Sequence, residues 1–214
     1  MIGRRAVLVP GPDCPLCPRL CAFRVENRAR FVDWHNAPVP SFGDESARLL
    51  IVGLAPGLRG ANRTGRPFTG DHAGELLFAT LLVHGLAAGS YGRAADDGLR
   101  LVGCRISNAV RCVPPVNRPT AEEVRTCGRF LADEITQLPQ LSAVLALGRV
   151  AHDAVLTALG VRGIAFAHGA LHTPRPGLLL ADSYHCSRQN TNTGRLTPTM
   201  FDAVFGELCA RMPA

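Results

Sequence analysis

A short apolar run followed at once by a long glycine-rich loop constrains the fold of this chain more than any other feature. Residues 49–52 (LLIV) are typical of a buried strand, and residues 53–71 continue as GLAPGLRGANRTGRPFTGD. A turn of this kind after a buried strand lies at the carboxyl edge of a sheet, where open α/β sheets bind their ligands. Loops of this length are usually functional or disordered. We therefore expect the loop to form part of a binding site.

The side chains of this loop indicate the class of ligand. Arg59, Arg63 and Arg66 surround one aromatic residue, Phe68, and the only carboxylate is Asp71. Arginines around a lone aromatic ring suit a ligand that carries phosphate and a flat base. An ordinary solvated loop is the alternative interpretation.

Length and composition limit the classes of protein. With 214 residues, 47% of them apolar, the chain is long enough for one domain, which we place at residues 1–214 with residues 1–47 as an N-terminal lead. No apolar run reaches the roughly 18 residues of a membrane helix, and the first residues lack a signal-peptide pattern. We therefore expect a cytoplasmic monomer that does not bind membranes. The net charge of +6 favours a polyanionic partner only weakly, and the absence of lysine excludes a Walker A phosphate loop.

Apolar strand-like segments alternate with helix-like segments along the chain. The pattern predicts strands at residues 48–52, 101–108, 143–147, 164–167 and 178–181, and helices at 18–30, 73–85, 120–138, 149–159 and 199–210. Thr120 and Glu123 have the spacing of a capping box. This alternation predicts an α/β fold with a mainly parallel sheet covered on both faces. We expect a three-layer α/β/α sandwich whose central sheet has four strands.

Two further strand ends carry polar side chains. His185 follows the strand at 178–181 and begins the polar loop HCSRQNT, and Asn108 ends the strand at 101–108. Because parallel strands end at the same edge, His185 is expected to face the first loop across a crevice, with Asn108 nearby. A structural histidine is the alternative interpretation.

Eight cysteines indicate a metal site rather than disulfides in a cytoplasmic chain. Cys14 and Cys17 form a C-x2-C pair, and Cys112 and Cys127 form a C-x14-C pair. Four thiolates suit either a [4Fe–4S] cluster or a structural zinc ion, and the residue types alone do not choose between them.

Several motifs together resemble one known family. They are GLAPG with the downstream NRTGRPFTGD, then SNAVRCVPP, then SYHCSRQNTNTGRLT, and the spacing of the four cysteines agrees. Over residues 14–209 the chain resembles the uracil-DNA glycosylase superfamily, and within it the iron–sulfur branch called family 5 or UDGb. The resemblance implies a [4Fe–4S] cluster on Cys14, Cys17, Cys112 and Cys127. It also implies a DNA partner that contains uracil or another deaminated base.

The implied reaction is hydrolysis of the N-glycosidic bond of a base that has been flipped out of DNA. In this reading Phe68 stacks on the base, Asn108 pairs with the N3–H and O4 of uracil, and His185 donates to its O2. The implied base-binding residues are Gly53, Leu54, Ala55, Phe68 and Asn108. The implied DNA-binding residues are Arg59, Arg63, Arg66, Ser187, Arg188, Gln189 and Asn190.

One difference within the superfamily bears on catalysis. The best-known branch reads GQDPY where this chain reads GLAPG, so Ala55 replaces its water-positioning acid and Gly57 replaces its steric gate against thymine. Asp71 is therefore the expected catalytic acid, together with His185, although Asp71 also suits the N-cap of the next helix. The open pocket implies a wider choice of base, including hypoxanthine.

Two other classes of protein are alternative interpretations. A non-catalytic iron–sulfur or zinc module that binds damaged DNA would not need His185 or Asn108. A dinucleotide-binding enzyme is disfavoured because GLAPG lacks the G-x-G-x-x-G pattern.

Overall fold

The computed structural model describes residues 6–212, so residues 1–5 and 213–214 of the expected domain lie outside the described part. The helices are α1 (Pro18–Arg30), α2 (Ala61–Thr64), α3 (His72–Val83), α4 (Ala121–Gln137), α5 (Arg149–Leu159), α6 (Arg188–Asn192) and α7 (Pro198–Arg211). The strands are β1 (Phe42–Gly43), β2 (Leu49–Gly53), β3 (Ala87–Ala88), β4 (Arg100–Leu101), β5 (Cys104–Asn108), β6 (Ala143–Leu147), β7 (Leu171–Arg175) and β8 (Leu178–Ser183). A single 3-10 turn covers Pro115–Asn117.

The main sheet has six strands in the order β1-β5-β2-β6-β8-β7. Its four inner strands are parallel, as the sequence predicts. The expected total of four is wrong because β1 and β7 add antiparallel edges. These edges give weak sequence signals: β1 has two residues, and β7 contains Pro174, which an edge tolerates because proline cannot donate to a strand ladder.

Two predicted strands differ from the observed ones. Residues 164–167 form no strand; the amide of Ala167 instead donates to the buried Asp182 carboxylate at 3.3 Å. The strand predicted at 101–108 begins only at Cys104, since Gly103 turns the chain with a φ of 61°. The preceding β4 pairs with β3 in a separate two-stranded ribbon.

Helices cover both faces of the sheet, which confirms the three-layer sandwich. Leu49 and Ile51 of β2 point to one face and pack in a cluster with apolar residues of α3 and α7. Leu50 and Val52 point to the other face and pack with α4 and α5. The continuous apolar run of β2 is therefore explained by burial on both sides.

The N-terminal lead is tied to the start of α4. The Thr120 hydroxyl accepts from the Glu123 amide, and the Glu123 carboxylate accepts from the Thr120 amide, so the predicted capping box is confirmed. The same carboxylate forms an ion pair with Arg19 of α1 at 2.7 Å. No helix in the described part of the chain is both long and apolar enough to cross a bilayer.

The register of the sheet decides where a ligand can bind. Gly53 at the end of β2 pairs with Asn108 at the end of β5, and Leu147 of β6 pairs with Ser183 of β8. The chain passes from β2 to β5 on one side and then returns to β6 on the other. The carboxyl ends of β2 and β6 therefore flank a topological switch point, where open α/β sheets form a crevice.

Candidate active site

A cleft of about 680 Å³ opens at this edge of the sheet. The two loops predicted from the sequence form much of its wall. The first loop contributes Leu54, Ala55, Gly57 and Asp71, and the second contributes His185 and residues 187–190. The first two residues of α3, His72 and Ala73, also line it. The expectation that both loops face one crevice is met. The wall is completed by the turn at residues 116–118, by Leu147 at the end of β6 and by residues 148–150 directly after it.

Asn108 and Phe68 meet at Gly53 beside the cleft. Both side chains are largely buried, and a β-carbon on Gly53 would lie 2.5 Å from Oδ1 of Asn108 and 2.5 Å from Cζ of Phe68. Only glycine therefore allows the amide and the ring to approach this strand end together. Phe68 has a φ of 54°, and the Tyr91 hydroxyl fixes its backbone by donating to its carbonyl oxygen at 3.3 Å.

His185 lies next to Phe68. Their ring centroids are 5.8 Å apart and the ring planes differ by 24°. Nδ1 of His185 is buried and has no hydrogen-bond partner among the described residues. Burial lowers the pKa of His185 to about 4, so the imidazole is neutral at neutral pH. Its backbone is held by Asn190, whose side-chain amide donates to the His185 carbonyl oxygen at 2.8 Å.

Asp71 caps α3 and also lines the cleft. Its Oδ1 accepts from the Ala73 amide at 3.1 Å, so the cap is confirmed. Its Oδ2 lies over Gly57 and Gly60, and a β-carbon on Gly57 would lie 2.7 Å from this oxygen. Burial raises the pKa of Asp71 above its ordinary value, against the opposing effect of the backbone amides. The glycine at position 57 therefore makes room for this partly buried carboxylate.

A direct hydrogen bond joins the two loops. Nε2 of His72, the first residue of α3, lies 2.9 Å from Oγ1 of Thr191 in α6. Sequence reasoning missed this link, and it also missed Gly148 and Arg149 of the cleft wall. The end of β6 was a usable signal for Gly148, since every parallel strand ends at the same edge. Nothing in the sequence indicated that the 116–118 turn reaches the cleft.

Of the predicted DNA-binding side chains, Arg59, Arg63, Arg188 and Gln189 are exposed. Ser187 is the N-cap of α6, and its hydroxyl accepts from the Asn190 amide. The backbone amide of Asn190 thus binds Ser187, and its side-chain amide binds the His185 carbonyl oxygen. Contact of these side chains with DNA remains a prediction.

The prediction that Arg66 contacts DNA is wrong in this structure. Arg66 is only 5% exposed and forms an ion pair with Asp97 at 2.7 Å. Its hydrogen bonds hold the pKa of Asp97 well below the ordinary range. Its guanidinium lies over the rings of Phe42 and Phe78, so it belongs to the core beneath the loop.

Comparison with known proteins agrees with this geometry. A family described as the Uracil DNA glycosylase superfamily matches residues 40–209. The type-5 uracil-DNA glycosylase of Thermus thermophilus is 51% identical, covering 96% of this chain and 97% of that protein. This chain belongs to the uracil-DNA glycosylase superfamily. The type-5 uracil-DNA glycosylase of Pyrobaculum aerophilum is 44% identical over 86% of this chain and 83% of that protein. A type-4 uracil-DNA glycosylase of Archaeoglobus fulgidus is 38% identical over 53% of this chain and 49% of that protein.

The superfamily match begins at residue 40, so it leaves out Cys14 and Cys17, the two predicted cluster ligands of the N-terminal lead. One small cavity is lined by all four predicted ligands: Cys14 and Cys17 from the lead, Cys112 from the loop after β5 and Cys127 from α4. Their thiols form no disulfide. Backbone and side-chain N–H groups point at two of the sulfur atoms: Arg111 N lies 3.3 Å from Sγ of Cys127, and Nη1 of Arg24 lies 3.6 Å from Sγ of Cys112. Donors aimed at sulfur are typical surroundings of a ligating thiolate.

A second group with metal-ligand side chains lies elsewhere, at His152, His172 and Asp182. The Asp182 carboxylate is already hydrogen-bonded to Nδ1 of His152 at 2.7 Å and to Nε2 of His172 at 3.2 Å. It also accepts from the amide of Ala167. The group therefore fixes the 164–170 segment against β8.

Proposed function

We propose that this chain is a monofunctional DNA repair glycosylase that flips uracil out of DNA and hydrolyses its N-glycosidic bond, leaving an abasic site. One observation carries the proposal: the Phe68 ring meets the Asn108 amide at Gly53 and lies beside the His185 imidazole, whose Nδ1 has no hydrogen-bond partner among the described residues. The type-5 relatives are named uracil-DNA glycosylases, which supports uracil as the substrate.

Asn108 and Phe68 recognise the flipped base in this proposal. The Phe68 ring stacks on the base, a contact worth roughly 1–3 kcal/mol on aromatic platforms. The Asn108 amide offers one acceptor and one donor, which match the N3–H and O4 of uracil. Their common packing on Gly53 fixes both groups before the base arrives.

His185 stabilises the leaving base. As the glycosidic bond breaks, negative charge gathers on the uracil O2, and a neutral imidazole donates a hydrogen bond to it. The pKa of about 4 ensures the neutral form, so no proton need be lost before the base binds. Donors aimed at developing charge are often the largest catalytic contribution.

Asp71 positions the attacking water or stabilises the cation-like sugar. Oδ1 is held by the helix N-terminus, and Oδ2 remains at the cleft, above the glycines of the first loop. Ala55 has no group that orients water. In the best-known branch of the superfamily the water-positioning acid stands at the position of Ala55. In this chain Asp71 takes that role, and Gly57 leaves space for its carboxylate.

A pocket without a bulky gate at position 57 is expected to admit other deaminated or modified bases, such as hypoxanthine. Leu54 and Ala55 leave only small or apolar groups along this wall, which impose little selection by hydrogen bonding.

The four cysteines hold a [4Fe–4S] cluster in this proposal. A tetrahedral zinc ion with Zn–S bonds of about 2.3 Å brings its sulfurs to about 3.8 Å from one another. In the described part of the chain, only the His152 group has three ligand atoms within 4.8 Å of one another. No three of the four cysteine sulfurs therefore lie that close together, which favours a cluster in which each thiolate would bind its own iron. The cluster would tie the lead to the loop after β5; base hydrolysis has no redox step.

DNA is held by arginine–phosphate contacts from the exposed Arg59, Arg63 and Arg188, with Ser187, Gln189 and Asn190 at the second loop. A monomeric, cytoplasmic enzyme remains the prediction from the sequence.

A base-release assay tests the proposed function. Purified protein is incubated with oligonucleotides that carry uracil, hypoxanthine or a thymine mismatch, and abasic sites are then cleaved with alkali. We expect strand breaks at uracil and none in an oligonucleotide with cytosine at the same position. Tight binding without base release would instead support a non-catalytic module.

A further inference from the structure

Val116 occupies an unusual place at the rim of the cleft. It is 82% exposed, more than any other large apolar residue in the described part of the chain. It lines the same cleft as His185 and Arg188. An isolated exposed valine needs no explanation, but this one stands where the proposed substrate must enter.

The backbone at Val116 does not favour valine. The Arg118 amide donates to the Pro115 carbonyl oxygen at 3.1 Å, which closes a turn around Val116 and Asn117. Both central residues have positive φ, 50° and 55°, as a type I′ turn requires. Glycine, asparagine and aspartate suit such positions, whereas a β-branched residue there is an outlier. The requirements of the turn therefore do not account for a valine.

One end of the turn is anchored by a hydrogen bond. The Arg118 carbonyl oxygen accepts from Nη2 of Arg19, which also pairs with Glu123. Cys112, one of the proposed cluster ligands, lies at the other end of the segment. A strained apolar tip is thus presented on a fixed support, as is common at functional sites.

The surroundings match DNA. Arg118, Arg149 and Arg188 are exposed and line the same cleft. When a base is flipped out, a gap opens in the stack, and DNA-binding proteins often insert an apolar side chain between base steps. Building on the proposed function, we propose that Val116 is a wedge that enters the duplex stack at the flipped nucleotide while the neighbouring arginines hold phosphates.

Val116→Asn tests this wedge directly. Asparagine suits positive φ, so we expect an unchanged or higher melting temperature. Single-turnover release of uracil from a duplex should fall about tenfold, which equals about 1.4 kcal/mol. Release from single-stranded DNA should stay within about twofold of the original rate, since no stack must be opened there. Equal losses on both substrates, or no loss on either, would overturn the proposal.

Val32→Asn is the matched control, because Val32 is 79% exposed and is not part of the cleft wall. It should leave both rates unchanged. A binding measurement separates the wedge from catalysis: 2-aminopurine is placed beside an abasic site in a duplex, and its fluorescence reports unstacking. The unmodified protein should increase this fluorescence and Val116→Asn should not, even if no base is ever released. The same increase with both proteins would refute the wedge.

Discussion

The rings of Phe68 and His185 lie 5.8 Å apart at an angle of 24°, although they belong to different loops at the ends of different strands. Because the two rings are nearly parallel and offset, a flat base that stacks on Phe68 comes within reach of the imidazole. Phe68 can therefore recognise the base while His185 stabilises the negative charge that develops on the same base as it leaves.

Asp71→Asn should separate the helix cap from the chemistry. Asparagine caps a helix nearly as well as aspartate, and it removes a buried charge. The melting temperature at neutral pH should therefore not fall. The single-turnover rate of uracil release should drop at least about 100-fold. In the unmodified enzyme the rate should fall as the pH decreases through the raised pKa of Asp71, because protonation removes the active carboxylate. A near-original rate for Asp71→Asn would leave this residue only as a cap.

His185→Ala should slow uracil release by an amount comparable to the loss of one donor to developing charge, about 2.7–4 kcal/mol. Above about pH 4, the rates of His185→Ala and of the unmodified enzyme should fall with decreasing pH at the same position. Burial keeps His185 neutral in this range, so its removal does not change the titration that limits the rate. For the same reason the unmodified protein should lose stability between about pH 6.5 and 4. In this range the histidine is protonated in the unfolded chain but stays neutral in the folded protein, so protonation favours unfolding. His185→Ala should weaken this pH dependence, which thermal melts at several pH values would measure.

Cys112→Ser should remove the cluster. Purified protein is expected to be brown, with about four iron atoms per chain, and Cys112→Ser should be colourless and poorly soluble. Cys21→Ser is the control: Cys21 lines the same cavity, but its thiol contacts the Cys14 carbonyl oxygen, and it is not a predicted ligand. Stoichiometric zinc in colourless protein prepared without oxygen would contradict the cluster.

Salt should weaken DNA binding steeply. If about four phosphates are neutralised, the logarithm of affinity should fall with the logarithm of salt with a slope of about −3.6. Arg188→Ala should reduce this slope by about 0.9 and weaken binding to all sequences alike. Arg66→Ala is the contrasting variant. Because it breaks a buried ion pair, it should destabilise the fold by about 3 kcal/mol and leave the slope unchanged. Affinity that does not vary with salt would rule out phosphate contacts as the main attraction.

The sequence by itself determined the layers and the place of the site. Strong apolar runs such as residues 49–52 are buried on both faces, so their character follows directly from the pattern. His185, which follows such a run, lines the cleft as expected, because parallel strands end at one edge. Asn108 ends its strand at the same edge but is buried beside Gly53, outside the cleft wall. The capping box of α4 is equally local, since Thr120 and Glu123 are one helical turn apart.

Only the tertiary structure decided which partners distant residues have. Arg66 resembles its loop neighbours Arg59 and Arg63 in sequence, yet Asp97 and two aromatic rings bury it. The edge strand β7 and the cleft-lining Val116 also escaped sequence reasoning. The neighbours of these residues come from remote segments of the chain. Whether a residue is exposed, paired with a charge or at a sheet edge depends on those neighbours and not on the local sequence pattern. A periodic pattern reports which side of an element is buried, but the identity of the group that covers it is set by the packing of the whole chain.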